Sequence, residues 1–323
     1  MERTIISSDY VKAQVETNST FGCAPESRSM MKLLQLGLLI LDKPPNPTSH
    51  EVTAWVKKIL HIPKAGHGGT LDPKVTGVLP IALGKGTKAL QVLLPSRKEY
   101  ICIMKLHNSI DPIKTQSVMQ EFIGQIYQRP PLRSSVKRRI RVRTIHSISI
   151  LEIKDNIVLF RVKCQAGTYI RKLCHDLGFA FGTGAHMKEL RRTKTGLLSE
   201  NEVITLNELQ EAADSYFEDG EEKDLRKMIH PIEYLLASLP KITLRDSAVD
   251  AICHGAYVTV PGIVRLSKEI RENTLVVIQT LKREVIALGR SLLTAKEIFE
   301  RNNGIAAKPT EVLMERGIYP RKW

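Results

Sequence analysis

Between residues 37 and 177, strand-like and helix-like runs alternate, but never at the regular spacing of a βαβ repeat. The stretch 37–41 reads as a short apolar strand, and 99–106, 147–153 and 157–164 read as strands rich in β-branched residues. Thr48 and Glu51 form a Thr-x-x-Glu capping box, and Val52, Trp55, Val56, Ile59 and Leu60 follow at helical spacing as one apolar face. Ile170, Leu173 and Leu177 mark a further helix, with Gly178 placed to cap its C-terminus. A mixed sheet with helices on it, an α+β fold, fits this order better than a doubly wound parallel sheet.

A change of composition divides the chain. Residues 200–224 hold ten acidic side chains and one basic one, Lys223, between basic flanks. A helical pattern over 225–236 then closes at Leu239 and Pro240, where we place a domain boundary. The remaining segment, 240–323, carries short strand-like runs at 274–279 and 285–289, turns at Gly255, Gly262 and Gly289, and helical pieces at 246–253 and 295–301. It reads as a small β-rich module.

Lys and Arg number 48 against 34 Asp and Glu, a formal net charge of +14, while 42% hydrophobic and 25% charged residues argue against a disordered chain. Such a surplus points to a polyanionic partner, nucleic acid ahead of an anionic membrane. The apolar stretch 33–41 is too short to span a bilayer, and no cleavable leader pattern precedes it. Cys23, Cys102, Cys164, Cys174 and Cys253 are odd in number and include no C-x-x-C pair, which argues against a disulfide framework or a zinc site. The expected location is cytoplasmic, with no membrane partner.

Three motifs could carry chemistry. The first is His67-Gly68-Gly69-Thr70-Leu71-Asp72-Pro73, where glycines permit close backbone approach and Pro73 keeps Asp72 out of helical conformation. A carboxylate on such a loop is a nucleophile, a base or a turn-forming side chain, and the residues alone leave all three open. The second is Ala166-Gly167-Thr168-Tyr169-Ile170-Arg171 at a strand-to-helix junction. A cation in a first helical turn is disfavoured by the helix dipole, which hints at an anionic partner. The third is Arg97-Lys98-Glu99-Tyr100, whose tyrosine suits either a core or a base-stacking role. Separately, Arg129, Arg133, Lys137, Arg138, Arg139, Arg141 and Arg143 place seven positive charges in fifteen residues with no acid, an expected RNA-binding loop.

Taken together, segments 67–80, 98–100, 167–173, 184–186 and 190–193 resemble the motifs of the pseudouridine synthases that modify the tRNA T-loop. Gly68-Gly69 before Lys74-Val75, the run Arg129-Pro130-Pro131-Leu132 and the block 244–250 resemble the dyskerin-type branch, the catalytic subunit of box H/ACA guide-RNA particles. The resemblance runs from about residue 22 to the C-terminus and leaves 1–21 unplaced. It implies a largely antiparallel mixed-sheet pseudouridine synthase domain at 37–239, a PUA β-barrel at 240–323, and an N-terminal extension, 1–36, packed on that barrel. One departure is Asn46, which stands where the family's loop has glycine. The absence of a Lys-rich tail makes the chain similar to archaeal members.

The same resemblance implies roles. Asp72 matches the catalytic nucleophile, and Arg171 the cation that holds it ionised in an enclosed pocket. Tyr100 would stack on the uracil and serve in proton removal, while Tyr169 and Leu190 line the pocket. His67 would help hold the flipped nucleotide. His254, Gly255, Ala256 and Tyr257 match the loop that receives the ACA end of a guide RNA. The implied activity is isomerisation of uridine to pseudouridine in rRNA, with the tRNA T-loop uridine as a further substrate, and with no metal or cofactor. The implied partners are an H/ACA guide RNA, rRNA and tRNA substrates, two small proteins on the catalytic domain and a kink-turn-binding protein. The alternatives are a stand-alone tRNA pseudouridine synthase and, at greater distance, a non-catalytic RNA-binding scaffold.

Overall fold

Lys98–Leu106 is the strand around which the larger sheet is built, because it is paired along its length on both sides. Ile157–Cys164 and Ala185–Thr195 are its antiparallel neighbours. The computed structural model describes residues 9–129 and 139–321, and in it the chain folds as two compact units. One comprises Leu39–Ile81 and Leu90–Met228; the other comprises the chain up to Leu38, Ala82–Ala89 and the chain from Ile229.

In the former, the strand order runs Gly37–Lys43, Thr76–Leu83, Ala185–Thr195, Lys98–Leu106, Ile157–Cys164, Arg141–Lys154 and Gly124–Gln128. Thr76–Leu83 lies parallel to Ala185–Thr195, and the pairs from there to Gly124–Gln128 are antiparallel, so the sheet is mixed as expected. The helix Ile170–Phe181 buries Ile170, Leu173, Cys174, Leu177 and Phe181 in one core with Cys102, Phe160 and Val162. That burial seats the first turn of the helix, and hence Arg171, at a fixed height on the sheet.

The capping box at Thr48 and Glu51 forms, and starts the helix Ser49–Ile59. Trp55 does not join its buried face: Val52, Val56 and Leu60 do, a stripe of i, i+4 and i+8, and Trp55 is exposed. Gly178 is not the cap of the later helix. It lies inside it, where a Cβ would stand 2.1 Å from the Ala185 nitrogen, and the cap is Gly182 at φ 77°. The expected helix over 225–236 is two pieces, Lys223–Met228 and a 3-10 turn at Ile232–Leu236. Pro231 lacks the amide a helix needs and drives its predecessor to extended backbone.

In the other unit a seven-stranded sheet runs Asp9–Val11, Ile263–Ser267, Lys241–Leu244, Leu275–Gln279, Val285–Ser291, Ile305–Val312 and Val258–Thr259. Its core gathers Ile242, Val249, Ile252, Leu266, Val276, Ile278 and Ile298. The N-terminal segment is part of this unit. Asp9–Val11 pairs with Ile263–Ser267, Tyr10 stacks on Phe299, and Lys12 donates to the carbonyls of Ile298, Phe299 and Arg301 at a helix end. Among the described residues no helix is long and apolar enough to cross a membrane.

Candidate active site

The Asp72 loop is stitched down by buried polar groups. Ser49 Oγ accepts from the Leu71 amide at 2.9 Å and donates to the Leu71 carbonyl at 3.1 Å. Lys43 is fully buried, and its Nζ donates to the carbonyls of Pro44, Pro73 and Val75. Burial pushes its ammonium down from the usual lysine value, and the negative charge of Asp72 pulls it partly back. The Asn46 amide donates to Pro73 from a left-handed conformation, φ 88°. Each contact gives a protein partner to a carbonyl or amide of a loop that has no regular secondary structure to pair it. Lys43 and Ser49 did not stand out in the sequence; the available signal was a lysine ending a mostly apolar strand.

Arg171, ninety-nine residues away in sequence, forms an ion pair and hydrogen bond with Asp72. The enclosed pocket expected for this pair is not found: the two side chains are 51% and 55% exposed. Tyr169 is the N-cap residue of the Arg171 helix. Its amide donates to Gln128 Oε1 at 2.9 Å and its carbonyl accepts from Gln128 Nε2 at 3.1 Å. The buried Gln128 amide therefore fixes the turn that presents Arg171.

Tyr100 is half-buried, and it lies opposite Arg192 on the neighbouring strand. Burial raises the pKa of its phenol, while the Arg192 guanidinium beside it acts in the opposite direction. Two register shifts, between Glu99 and Tyr100 and between Ile103 and Met104, bracket this part of the strand. Such bulges re-aim side chains next to functional sites. Leu190 lies opposite Cys102 and packs, like Tyr100, on the core beneath. His67 stands edge-on to His50, with ring centroids 4.8 Å apart. Its imidazole is held below its ordinary pKa by burial first, then by His50 and Arg192. Asp72, Arg171, Tyr100, His67, Tyr169 and Leu190 all belong to this one unit.

The basic residues divide. Arg133, Lys137 and Arg138 lie outside the described residues. Arg129 and Arg139 are exposed. Arg141 and Arg143 are not in a loop but begin the strand Arg141–Lys154, and both are half-buried. The Arg143 guanidinium lies 3.2 Å from where a Cβ on Gly167 would be, against the turn that leads to Tyr169. In the other unit His254 ends the helix Asp246–Cys253, Gly255 takes φ 89°, and Ala256 and Tyr257 are exposed. Among the described residues no three His, Cys, Asp or Glu side chains gather as a metal site.

A sheet that joins an aspartate loop, an arginine at a helix start and a strand tyrosine, in a chain that also carries a PUA domain over residues 240–313, belongs to the pseudouridylate synthases, which are isomerases. Within that class the chain belongs to the TruB family. The family's N-terminal domain matches residues 57–170, and the tRNA pseudouridylate synthase B C-terminal domain matches 171–237. A DKCLD domain matches 6–53, so most of the N-terminal segment that sequence motifs left unplaced has a family counterpart. The chain is 55% identical over 312 residues to the "Probable tRNA pseudouridine synthase B" of Methanopyrus kandleri, covering 97% of this chain and 92% of that one. It is similar to a chain of an H/ACA ribonucleoprotein bound to a substrate RNA containing 2'-deoxyuridine, at TM-score 0.91 and 48% identity over 98% and 97% of the two chains. It is similar also to a chain of a Cbf5–Nop10–Gar1 complex, at TM-score 0.90 and 50% identity over 97% and 96%.

Proposed function

We propose that this chain is the catalytic subunit of a box H/ACA ribonucleoprotein that isomerises uridine to pseudouridine in rRNA, and that it acts also on the tRNA T-loop uridine. The observation that carries this is the Asp72–Arg171 pair, in a chain alike over 98% of its length to one in an RNA-bound H/ACA particle. In this reading Asp72 attacks the sugar C1′ as N1 leaves. The detached uracil turns, C5 attacks C1′ and expels the carboxylate, and the C5 proton departs to a base. Arg171 fixes the carboxylate, Tyr100 stacks on the uracil and in its phenolate form takes up the proton, and His67, Tyr169 and Leu190 hold the flipped nucleotide. Residues 37–239 form the catalytic domain and 240–323 the PUA domain, with 1–36 as an extension on the latter.

The partners in this proposal are a guide RNA, small proteins like the Nop10 and Gar1 of the similar complex, and a kink-turn-binding protein on the guide. The site of action is the cytoplasm. The basic residues from Arg129 to Arg139 contact substrate phosphates, Arg141 and Arg143 lie at the base of that track, and the segment from His254 to Tyr257 contacts the guide. A second reading, a stand-alone tRNA enzyme, is favoured by the name of the Methanopyrus relative. Release of tritium from 5-tritiated uridine separates the two, measured on guide-paired rRNA and on tRNA, with and without the partner proteins. Turnover of rRNA that needs guide and partners supports the particle; turnover confined to tRNA supports the second reading. Asp72→Asn should abolish turnover on both substrates and leave RNA affinity intact, because an amide is no nucleophile. Near wild-type turnover by that variant would remove Asp72 from the chemistry.

A further inference from the structure

Two adjacent arginines in the strand Ala185–Thr195 are treated in opposite ways. Arg191 is surrounded by acid: Asp42 receives two hydrogen bonds at 2.9 Å, and Glu200 a third. Arg192 points to the other face, is 1% exposed, and among the described residues has no carboxylate within ion-pairing distance. Its Nε donates to the Val78 carbonyl at 2.8 Å, and its terminal nitrogen donates to the Gly69 carbonyl at 3.1 Å. Its backbone is flanked by Gly77 on one strand and Tyr100 on the other, both in register with it. The approach on the Gly77 side is so close that a Cβ there would lie 2.2 Å from the Arg192 carbonyl oxygen.

A buried cation without a counter-charge is costly, and the surroundings adjust to it. Lys98 is pushed down to about 8, and His67 is lowered, each by burial with Arg192 as a further cause. The groups that act on Tyr100 are Arg192, Cys164 and Asp72, so Arg192 is its one cationic neighbour among them. The arrangement leaves one positive charge unmatched, beneath a phenol and behind the Asp72 loop.

We propose that Arg192 is a positioning residue for the isomerisation: it holds the Tyr100 hydroxyl and the Gly69 carbonyl in one fork, and stabilises the phenolate of Tyr100, the form able to accept a proton. This rests on the reading of Tyr100 as the group that takes up the proton. A preorganised donor in a dry site acts mainly on the reaction barrier and little on binding.

The test uses Arg192→Gln and Arg192→Lys, each with Tyr100 intact and with Tyr100→Phe, in the full chain assembled with its RNA. Three quantities are read: the single-turnover rate, RNA affinity, and the pH at which Tyr100 ionises, from near-ultraviolet difference titration against Tyr100→Phe. With Tyr100 present, Arg192→Gln should slow the reaction by about a hundredfold, leave affinity unchanged, and move Tyr100 ionisation to higher pH. Arg192→Lys, which keeps the charge and loses the fork, should slow the reaction but leave Tyr100 ionisation closer to wild type. In the Tyr100→Phe background both substitutions should have little further effect. Equal slowing with tyrosine and with phenylalanine, or an unmoved ionisation, overturns the proposal. If Arg192→Gln does not fold, the Arg192→Lys pair of backgrounds decides by the same comparison. A fully active Tyr100→Phe enzyme would instead refute the proton-acceptor reading on which the inference stands.

Discussion

Asp72 and Arg171 both stand about half in solvent, and this sets what breaking the pair should do. An exposed ion pair contributes at most about 1 kcal/mol to stability. Arg171→Ala should therefore shift the unfolding free energy by less than about 1 kcal/mol while turnover collapses, a separation that urea titration and the tritium assay would measure together. A large loss of stability would mean that the pair is structural. Asn46 makes the opposite case, a residue whose cost is conformational. At φ 88° it occupies a region open to glycine, and asparagine tolerates it better than other side chains. Asn46→Ala should destabilise by about 1 kcal/mol, whereas Asn46→Gly should be neutral or mildly stabilising. An alanine variant as stable as wild type would show that the strain is not felt. Either change keeps the Asn46 amide that donates to Pro73, so the Asp72 loop retains that tether.

At the scale of elements, what could be read in the sequence was whatever a local pattern dictates. The capping box at Thr48 was legible because its two partners are three residues apart. The strands were legible from apolar runs, though 147–153 underestimated Arg141–Lys154, whose opening residues are arginine-rich. Gly178 was misread because the reason for it, the approach of Ala185, lies outside its helix. The contrast between Arg191 and Arg192 was invisible for the same reason, since register and bulges on neighbouring strands decide which side chain is buried. The joining of Asp72 to Arg171 came only from family resemblance. Lys98 shows what such burial does to an element. Its ammonium donates to the carbonyls of Leu93 and Ser96, yet it is held at about 8. Between about pH 8 and the ordinary lysine value, the unfolded chain binds a proton that the folded chain has released, so stability should rise with pH across that window. The rise amounts to about 3 kcal/mol. Lys98→Met removes the titrating group, so wild type should gain on the variant as pH climbs from 8 towards 10.5. A urea midpoint difference that stays constant over this range would show that the buried ammonium is not disfavoured.

For the whole molecule the governing quantity is the net charge of +14, which must be located to be tested. The acidic run at 200–224 could in principle have neutralised the arginines beyond Gln128. Among the described residues its ion pairs are close in sequence: Glu200 pairs with Arg191, Glu222 with Arg226 and Asp224 with Lys227. Arg129 and Arg139 are exposed, whereas Arg141 and Arg143 are half-buried and touch the chain itself. Phosphate contacts release counterions, so their number is read from the slope of log K against log salt, about 0.7 per contact on a single strand. Neutralising Arg129 and Arg139 together should flatten that slope by about 1.4, equally for cognate and unrelated RNA, because phosphates carry no sequence information. Turnover of bound substrate should fall less than affinity, since these side chains hold the strand and do not touch the uracil. Neutralising Arg143 should behave differently, lowering stability through the Gly167 turn more than it changes the slope. A titration series at several salt concentrations distinguishes these outcomes. A slope untouched by the Arg129 and Arg139 changes would place the RNA track elsewhere on the surface.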